Sequence, residues 1–312
     1  MTIHLAHAQS IMYSSKISSP IINTFAEDPN GYIWMGTNYG LNVYNGATFN
    51  TFFASSEAGG LNNDDIRTML FDGQGRLWLG NESGISVMEG KQFRNITASG
   101  FSLAYSITEA DSFSVIISNR YGLTKINKQT LQAECSLDID QTMPINKVAV
   151  SKELNTVWFS PDNTSKIYIT DMQFTHTEEL TLPEKMELCS MIVDHCNHVW
   201  ISVQNGNLFC YDMHTRQLLP LPFDLQSFHH AGTPLFCVCN AEGNVLLGIK
   251  GRGMMCYNPI SGQAYPVFSE EKLQGDTYAV LFDSHSNVWL SDKENDFQFY
   301  AASRIYTTLT PC

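Results

Sequence analysis

Short apolar runs alternate with clusters of Gly, Asn and Asp along the whole chain, and the pattern is clearest in residues 28–45. Asp28-Pro-Asn-Gly begins a turn, Tyr32-Ile-Trp-Met-Gly-Thr is a short apolar run, and a second turn leads to Leu41-Asn-Val-Tyr. Two such runs separated by tight turn signals predict two antiparallel strands. Helical periodicity is nowhere sustained, so the pattern predicts an all-β protein.

The same pattern returns at intervals of roughly 40 to 45 residues, which is typical of a repeat architecture. The five tryptophans occupy one place in the repeat: Trp34, Trp78, Trp158, Trp200 and Trp289. Their separations of 44, 80, 42 and 89 residues correspond to one, two, one and two repeats. Ile116 and Leu246 stand where Trp is expected in the two longer gaps. The spacing therefore predicts seven repeats.

Each repeat is expected to form four strands, which in the first repeat are residues 22–27, 32–37, 41–44 and 48–53. Four-stranded antiparallel units that recur about every 43 residues predict a seven-bladed β-propeller. The Trp is large enough to fill the wedge between blades, and the Asp six residues before it is interpreted as turn chemistry. A glycine two residues after the Trp position is expected where backbones approach closely.

A single propeller is predicted to occupy residues 1–312. Its blades are expected near residues 21–56, 64–97, 102–137, 144–182, 187–222, 233–268 and 276–302. Pairing of residues 3–8 into the last blade would remove an exposed edge and close the ring. Residues 303–312 would then be a linker or an extra strand. In the alternative, residues 304–309 supply the fourth strand of the last blade.

The charge balance excludes several classes of partner. With 18 Lys and Arg against 31 Asp and Glu, the formal net charge is -13, which argues against nucleic-acid binding and against anionic lipid surfaces. No window approaches the roughly 18 apolar residues that cross a bilayer, so no direct membrane insertion is expected. The eight cysteines lie mostly in apolar runs and are interpreted as small buried hydrophobes.

The repeat Asp-x-x-Gly-x-Ile-Trp-x-Gly-Thr-x-x-Gly-Leu-x-x-Tyr at residues 28–44 resembles the two-component regulator propeller repeat. The resemblance implies a periplasmic sensor of hybrid two-component systems of gut Bacteroidetes, which recognises oligosaccharides released from glycans. In that family a second propeller, an immunoglobulin-like domain, a membrane span and a histidine kinase normally follow. This chain ends at Pro311-Cys312 before any of these, so we expect a fragment or a single-propeller protein. Any kinase activity would lie outside it.

No catalytic motif is present: the sequence lacks Gly-x-Ser-x-Gly, His-Glu-x-x-His and a phosphate-binding Gly-Lys-Ser/Thr loop. We therefore expect a protein without enzyme activity or cofactor. A lyase- or hydrolase-type propeller stays as an alternative, because propellers assemble sites from distant residues. His195-Cys-Asn-His198 offers metal ligands, but it occupies a turn position of the repeat. It is interpreted as a polar turn, and no metal is predicted.

The turns between the second and third strands are the predicted binding site, because loops on a rigid scaffold collect binding residues. The candidate ligand-binding residues are Asn38, Tyr39, Arg120, Tyr121, Asn205, Lys250, Arg252 and Lys293. Tyrosines can stack on sugar faces and the polar residues can bond hydroxyls, which suits an oligosaccharide. Arg120, Lys250 and Arg252 favour an acidic sugar. The alternative function is a protein-interaction propeller, with a homodimer or adjoining sensor domains as partners.

Overall fold

The computed structural model describes residues 17–96, 103–139, 144–183, 187–228, 235–239, 243–249, 253–268, 277–285, 287–292 and 296–300. The first twelve strands are β1 Ile22–Glu27, β2 Ile33–Thr37, β3 Gly40–Tyr44, β4 Phe49–Phe52, β5 Ile66–Phe71, β6 Leu77–Asn81, β7 Gly84–Glu89, β8 Gln92–Ile96, β9 Ser106–Glu109, β10 Ser114–Ser118, β11 Gly122–Asn127 and β12 Ala133–Asp138.

The remaining strands are β13 Ile145–Ser151, β14 Thr156–Pro161, β15 Lys166–Asp171, β16 Thr177–Thr181, β17 Leu188–Val193, β18 His198–Val203, β19 Leu208–Asp212, β20 Gln217–Leu219, β21 Leu235–Cys239, β22 Val245–Ile249, β23 Gly253–Asn258, β24 Gln263–Phe268, β25 Thr277–Phe282, β26 Val288–Asp292 and β27 Asp296–Tyr300. One short helix, α1 Phe223–Phe228, follows β20.

Consecutive strands pair antiparallel into separate sheets, and within each sheet the spatial order follows the chain. We name the strands of a sheet A to D in that order. The A strands contact one another in sequence from β1 through β5, β9, β13, β17 and β21 to β25, and β25 contacts β1. The A strands therefore form a ring around a central axis, which is the arrangement of a β-propeller.

The predicted seven four-stranded blades are wrong in number. The structure has six four-stranded blades, and the last repeat forms a sheet of only three strands, β25-β26-β27. An outer strand is missing from that sheet within the described residues. Both segments that the sequence offered for it, residues 3–8 and residues 304–309, lie outside the described residues, as does the predicted linker at 303–312.

The tryptophans pack between neighbouring blades, as their recurrence predicted. Trp78 is 0% exposed and lies in one apolar cluster with Ile85 of its own blade and Ile107 and Val115 of the next. Trp200 is 1% exposed and contacts the cluster that contains Val245 of the following blade. Each buried indole removes a large apolar surface from water, and the repeated contact stabilises the ring.

The six-residue interval from Asp to Trp has a direct cause in the A–B turn. In the second blade, Asp72 Oδ1 accepts the backbone N–H groups of Gln74 and Arg76 at 3.0 Å, while Oδ2 accepts the indole N–H of Trp78 at 2.9 Å. The same indole bond joins Asp28 to Trp34, Asp194 to Trp200 and Asp283 to Trp289, at 3.2, 2.8 and 2.9 Å. One carboxylate thus closes the turn and orients the wedge residue, which confirms the interpretation of the Asp as turn chemistry.

The glycine after the Trp permits a close approach, although the neighbour is a side chain rather than a backbone. A Cβ at Gly36 would lie 2.6 Å from Cγ2 of Ile66, and one at Gly80 would lie 2.5 Å from Cγ2 of Thr68. Ile66 belongs to the A strand of the next blade, whereas Thr68 belongs to the same blade as Gly80. A larger residue at either glycine would press against a side chain of β5 and displace that strand or the B strand that carries the glycine.

Antiparallel order gives the propeller two distinct faces. The A–B and C–D turns lie at one end of every sheet, which we call the A–B face. The B–C turns and the loops entering each A strand lie at the other end, the B–C face. Backbone hydrogen bonds join neighbouring blades there, for example Gly40 N to Asp64 O at 2.7 Å. Among the described residues, no helical segment has the length and apolar character of a membrane span.

Candidate functional site

Five of the eight predicted binding residues lie on the B–C face. They are Asn38, Tyr39, Arg120, Tyr121 and Asn205, in the B–C turns of the first, third and fifth blades. Lys250, Arg252 and Lys293 lie outside the described residues. The structure therefore places the described part of the predicted site at one mouth of the ring, and the three remaining positions stay predictions.

The B–C turn of the first blade presents an aromatic pair to solvent. Tyr39 is 58% exposed and its ring centroid lies 5.5 Å from that of Phe53, which is 49% exposed. Thr37 Oγ1 accepts the backbone N–H of Tyr39 at 3.0 Å, and Gly40 takes a φ of 105°, a conformation that favours glycine. The turn is thus held rigidly while the two rings stay accessible. Asn38 Oδ1 accepts the Ser19 hydroxyl at 2.5 Å and so anchors the turn.

The third blade repeats the arrangement with a second tyrosine. Asn119 Oδ1 accepts the backbone N–H groups of Tyr121 at 2.7 Å and Gly122 at 3.0 Å, which closes a side-chain-capped turn. Tyr121 is 59% exposed, and its backbone carbonyl accepts the N–H of Ile139 at 2.8 Å. Arg120 is exposed beside it. The backbone of this turn is fixed, so the tyrosine ring is displayed from a rigid base.

Asn205 has a structural task in its turn. Its Oδ1 accepts the backbone N–H of Asn207 at 3.0 Å, and its side chain is half-buried. In the same blade the side-chain amide of Gln204 donates to the carboxylate of Glu187. Among the described B–C turns, those of the first and third blades therefore present the exposed aromatic surface.

Sequence reasoning missed a charged cluster at the start of the second A strand. Arg67 follows the first residue of β5 at a shift in strand register. Its Nε donates to Asp65 Oδ2 at 3.0 Å, its guanidinium pairs with Glu82, and its Cζ lies 5.4 Å from the centre of the Tyr105 ring. The signal was a single charged residue in a mostly apolar strand. In the fourth blade Lys147 pairs likewise with Asp162, at 2.5 Å.

The A–B face carries a cavity of about 490 Å³ that the sequence did not predict. It lies between the second, third and fourth blades and is lined by Gly73, Gln74, Glu109, Ala110, Asp111, Ser112, Phe113, Lys128, Lys152 and Asn155. Phe113 at its edge is 74% exposed. The lining comes from turns that are distant in sequence, which is why no local pattern indicated it.

Glu109 joins three blades at this cavity. Its carboxylate accepts hydrogen bonds from Lys128 Nζ at 2.5 Å, Lys152 Nζ at 2.6 Å and the backbone N–H of Gly73 at 3.0 Å. Burial by itself would raise the pKa of Glu109, but the hydrogen bonds from Lys128, Lys152 and Gly73 outweigh it and lower the pKa to about 2. The carboxylate is therefore charged at neutral pH and holds neighbouring blades together.

This network predicts an acid-dependent loss of stability. Because the folded pKa of Glu109 is lowered from 4.5 to about 2, its contribution is complete above pH 4.5 and is lost as the pH falls toward 2. Urea denaturation across that range should show a falling free energy of unfolding. Glu109→Gln should lower stability at pH 7 and flatten the acid dependence. An unchanged slope in the variant would contradict the assignment.

The sequence His195-Cys-Asn-His198 forms an A–B turn, as interpreted. Its potential ligands are nevertheless close together: side-chain atoms of Asp194, Cys196 and His198 all lie within 4.8 Å of one another. The His195 ring is not part of this cluster. It packs against Gly243, where an added Cβ would lie only 2.6 Å from the ring. All seven described cysteines are free thiols.

Comparison with protein families identifies the repeat. Residues 16–39 and 60–83 match the model of the two component regulator propeller family. These segments contain the repeat that carried the resemblance, so that prediction is confirmed. Comparison with curated proteins finds no match.

Solved structures share the fold at low identity. The extracellular domains of two putative hybrid two component systems from B. thetaiotaomicron superpose with TM-scores of 0.69 and 0.71, at 18% and 13% identity. These alignments cover 90% and 91% of this chain, which spans only 38% and 40% of those chains. Virginiamycin B lyase from Staphylococcus aureus has a TM-score of 0.69 and 11% identity, with 91% of this chain and 95% of that chain covered. Propellers of this shape therefore include both extracellular domains of two component systems and an enzyme.

Proposed function

We propose that this chain, which carries two-component regulator propeller repeats, is a non-enzymatic extracytoplasmic sensor propeller that binds a glycan-derived oligosaccharide at its B–C face. The fold shared with the extracellular domains of hybrid two component systems supports the sensor role and a periplasmic location. Transmission of the signal would require further domains.

The observation that carries the proposal is the pair of aromatic sites on rigid turns. Tyr39 with Phe53 forms one platform and Tyr121 forms another. A sugar ring presents an apolar C–H face that packs on an aromatic ring, while its hydroxyls need hydrogen-bond partners around the edge. Such partners are present on the same B–C face: the carboxylates of Asp65 and Glu82 and the guanidinium of Arg67.

The charge at this mouth bears on the type of sugar. Arg67 and Lys147 both pair with carboxylates, so they add little net positive field at the described part of the mouth. This pairing suits the hydroxyls of a neutral oligosaccharide. The preference for an acidic sugar rested on Arg120, Lys250 and Arg252. It stays a prediction, since two of these three lie outside the described residues.

Calorimetric titration with panels of neutral and acidic glycan-derived oligosaccharides tests the proposal. Tyr39→Ala and Tyr121→Ala should each raise the dissociation constant of the tightest-binding sugar about tenfold. This change corresponds to the roughly 1.4 kcal/mol expected for one lost stacking contact. Phe113→Ala is the matched control, because Phe113 is also an exposed aromatic residue but lies on the A–B face. No heat from any sugar, or equal weakening by the control, would refute the proposal.

A protein-interaction propeller is the second candidate, because Ile21 adds to the apolar surface of Tyr39 and Phe53. Ile21 is 41% exposed, and its backbone carbonyl accepts the N–H of Asn38 at 3.3 Å. Exposed apolar patches of this kind also serve as contacts for a second copy or an adjoining domain. Light scattering distinguishes the two: a dimer that Phe53→Ser converts to a monomer, without sugar binding, would favour this function.

A lyase-type activity would need a histidine with a carboxylate partner at the binding mouth. The five described histidines, His176, His195, His198, His214 and His285, all lie in or beside A–B or C–D turns. A histidine acting at the B–C face would therefore have to come from outside the described residues.

A further inference from the structure

We propose that the A–B turn of the fifth blade is a site for a divalent transition metal such as zinc, with Asp194, Cys196 and His198 as ligands. The carboxylate oxygen, the thiol sulfur and the imidazole nitrogen lie within 4.8 Å of one another. Asp194 is 3% exposed, and the other two side chains are half-buried. The site is independent of sugar binding, because it lies on the opposite face of the propeller.

The turn brings the three ligands together without help from a metal. Asp194 Oδ1 accepts the backbone N–H groups of Cys196 at 2.8 Å and His198 at 2.9 Å, which curls the chain around the carboxylate. Asn197 completes the turn with a φ of 60°, and its N–H donates to Asp194 O at 3.1 Å. The ligands at positions one, three and five of the turn are therefore pre-organised, which lowers the entropic cost of binding an ion.

Other copies of the same turn serve as an internal comparison. The third and fifth positions are Asn30 and Tyr32 in the first blade, Gln74 and Arg76 in the second, and His285 and Asn287 in the last sheet. In the last sheet His285 turns away from the carboxylate, with Nδ1 at 3.2 Å from Ser284 Oγ. Among these described turns, the one in the fifth blade places both a thiol and an imidazole next to the carboxylate of its Asp.

The ligand chemistry selects the class of metal. A thiolate with an imidazole and a carboxylate suits zinc or cobalt, whereas calcium and magnesium prefer oxygen ligands alone. Three protein ligands leave a fourth position for water. The indole N–H of Trp200 donates to Asp194 Oδ2 at 2.8 Å and would orient the carboxylate as an outer partner.

The imidazole and the carboxylate would need to separate only slightly to admit the ion. His198 Nδ1 and Asp194 Oδ2 are 3.0 Å apart. Two ligand atoms bound to one tetrahedral zinc at about 2.0 to 2.1 Å lie roughly 3.3 Å from each other. The separation would therefore increase by about 0.3 Å, which a change of side-chain torsion provides.

A purely structural role for His198 is the competing explanation. Arg76 donates to Asp72 Oδ2 at 2.9 Å from the same turn position, and Asn287 donates to Asp283 Oδ2 at 2.9 Å. His198 would then simply repeat this bond. The two explanations differ in one respect: only the metal site requires the thiol of Cys196 as well.

Titration of the intact chain with Co²⁺ separates the explanations. One equivalent should bind and give the sulfur-to-cobalt charge-transfer absorption of a thiolate ligand, and Zn²⁺ should displace it. Cys196→Ser should abolish that band. His198→Asn should also abolish tight binding while keeping the bond to Asp194, as Asn287 does for Asp283, so the fold is preserved.

Two matched variants control for adventitious binding. His195→Ala removes the imidazole of the same turn that points away from the cluster, and Cys189→Ser removes a half-buried thiol on the adjoining β17. Both should retain the band and the rise in melting temperature that Zn²⁺ causes. The proposal is overturned if no thiolate–cobalt band forms, if the band survives Cys196→Ser, or if either control removes it.

Discussion

Replacement of Trp78 by alanine is expected to lower the free energy of unfolding by about 4 kcal/mol, within the range of buried Trp-to-Ala changes. Trp78 is 0% exposed, and its ring packs among Ile85, Ile107 and Val115 across the interface of two blades. The substitution would leave a cavity at that interface and remove the indole hydrogen bond to Asp72. Urea denaturation followed by circular dichroism measures the loss.

Two comparisons sharpen this prediction. Trp78→Phe keeps most of the ring and should cost roughly half as much, since the indole hydrogen bond alone is worth about 1 to 2 kcal/mol. Phe113→Ala removes an aromatic ring that is 74% exposed and should change stability by less than about 0.5 kcal/mol. A cost of Trp78→Ala as small as that of Phe113→Ala would show that the indole does not wedge the blades.

Asp72→Ala is expected to destabilise the protein by about 3 to 4 kcal/mol, because it removes one partner of a buried ion pair. The Asp72 side chain is 0% exposed, and its Oδ2 accepts Arg76 Nε at 2.9 Å. Burial by itself would raise the pKa of Asp72, but hydrogen bonds from Trp78 and Arg76 and the charge of Arg76 lower it. The carboxylate is therefore ionised. Its loss leaves the indole N–H of Trp78 without its acceptor and removes the carboxylate nearest to the Arg76 guanidinium.

Asp28→Ala is the matched control for this effect. Asp28 accepts the backbone N–H groups of Asn30 at 2.8 Å and Tyr32 at 3.0 Å and the indole N–H of Trp34 at 3.2 Å, as Asp72 does in its own turn. It is half-buried, and no arginine occupies its turn. Loss of its hydrogen bonds should cost about 1 to 2 kcal/mol. If denaturation experiments gave the two substitutions equal losses in the free energy of unfolding, the ion pair would add no stability to that of the turn hydrogen bonds.

Local elements of the fold were predictable because their signals are local. In the first repeat the observed strands begin and end within one residue of the predicted ones. The recurring interval from Asp to Trp follows from one carboxylate that binds its own turn and its own indole. The family resemblance at residues 28–44 rests on these same residues, and the family match at residues 16–39 and 60–83 confirmed it.

The count of blades was not predictable in the same way. Seven tryptophan positions imply seven repeats, but the last repeat contributes a sheet of three strands beside six four-stranded blades. The outermost strand of a blade carries no tryptophan and alternates weakly, as in β12 and β16, whose residues are mostly exposed. Spacing therefore counts the inner strands of the repeats, and the outer strand depends on which segment finds an edge to pair with.

The candidate site was likewise predictable from the sequence only in part. The sequence placed Tyr39 and Tyr121 in turns, but their exposure depends on how Thr37 and Asn119 cap the backbone. Phe53 was unrecognised because it reaches Tyr39 only across the folded blade.

The sequence by itself determined the repeat, the strand pattern, the wedge tryptophans and the resemblance to the propeller family. Each depends on residues within one turn or one strand, where spacing along the chain dictates spacing in space. Only the tertiary structure decided that Glu109 joins Gly73 to Lys152, that Arg67 meets Glu82, and that Asp194 gathers Cys196 and His198. The first two unite residues from separate strands or blades, and the third depends on how a turn curls, which no linear pattern encodes.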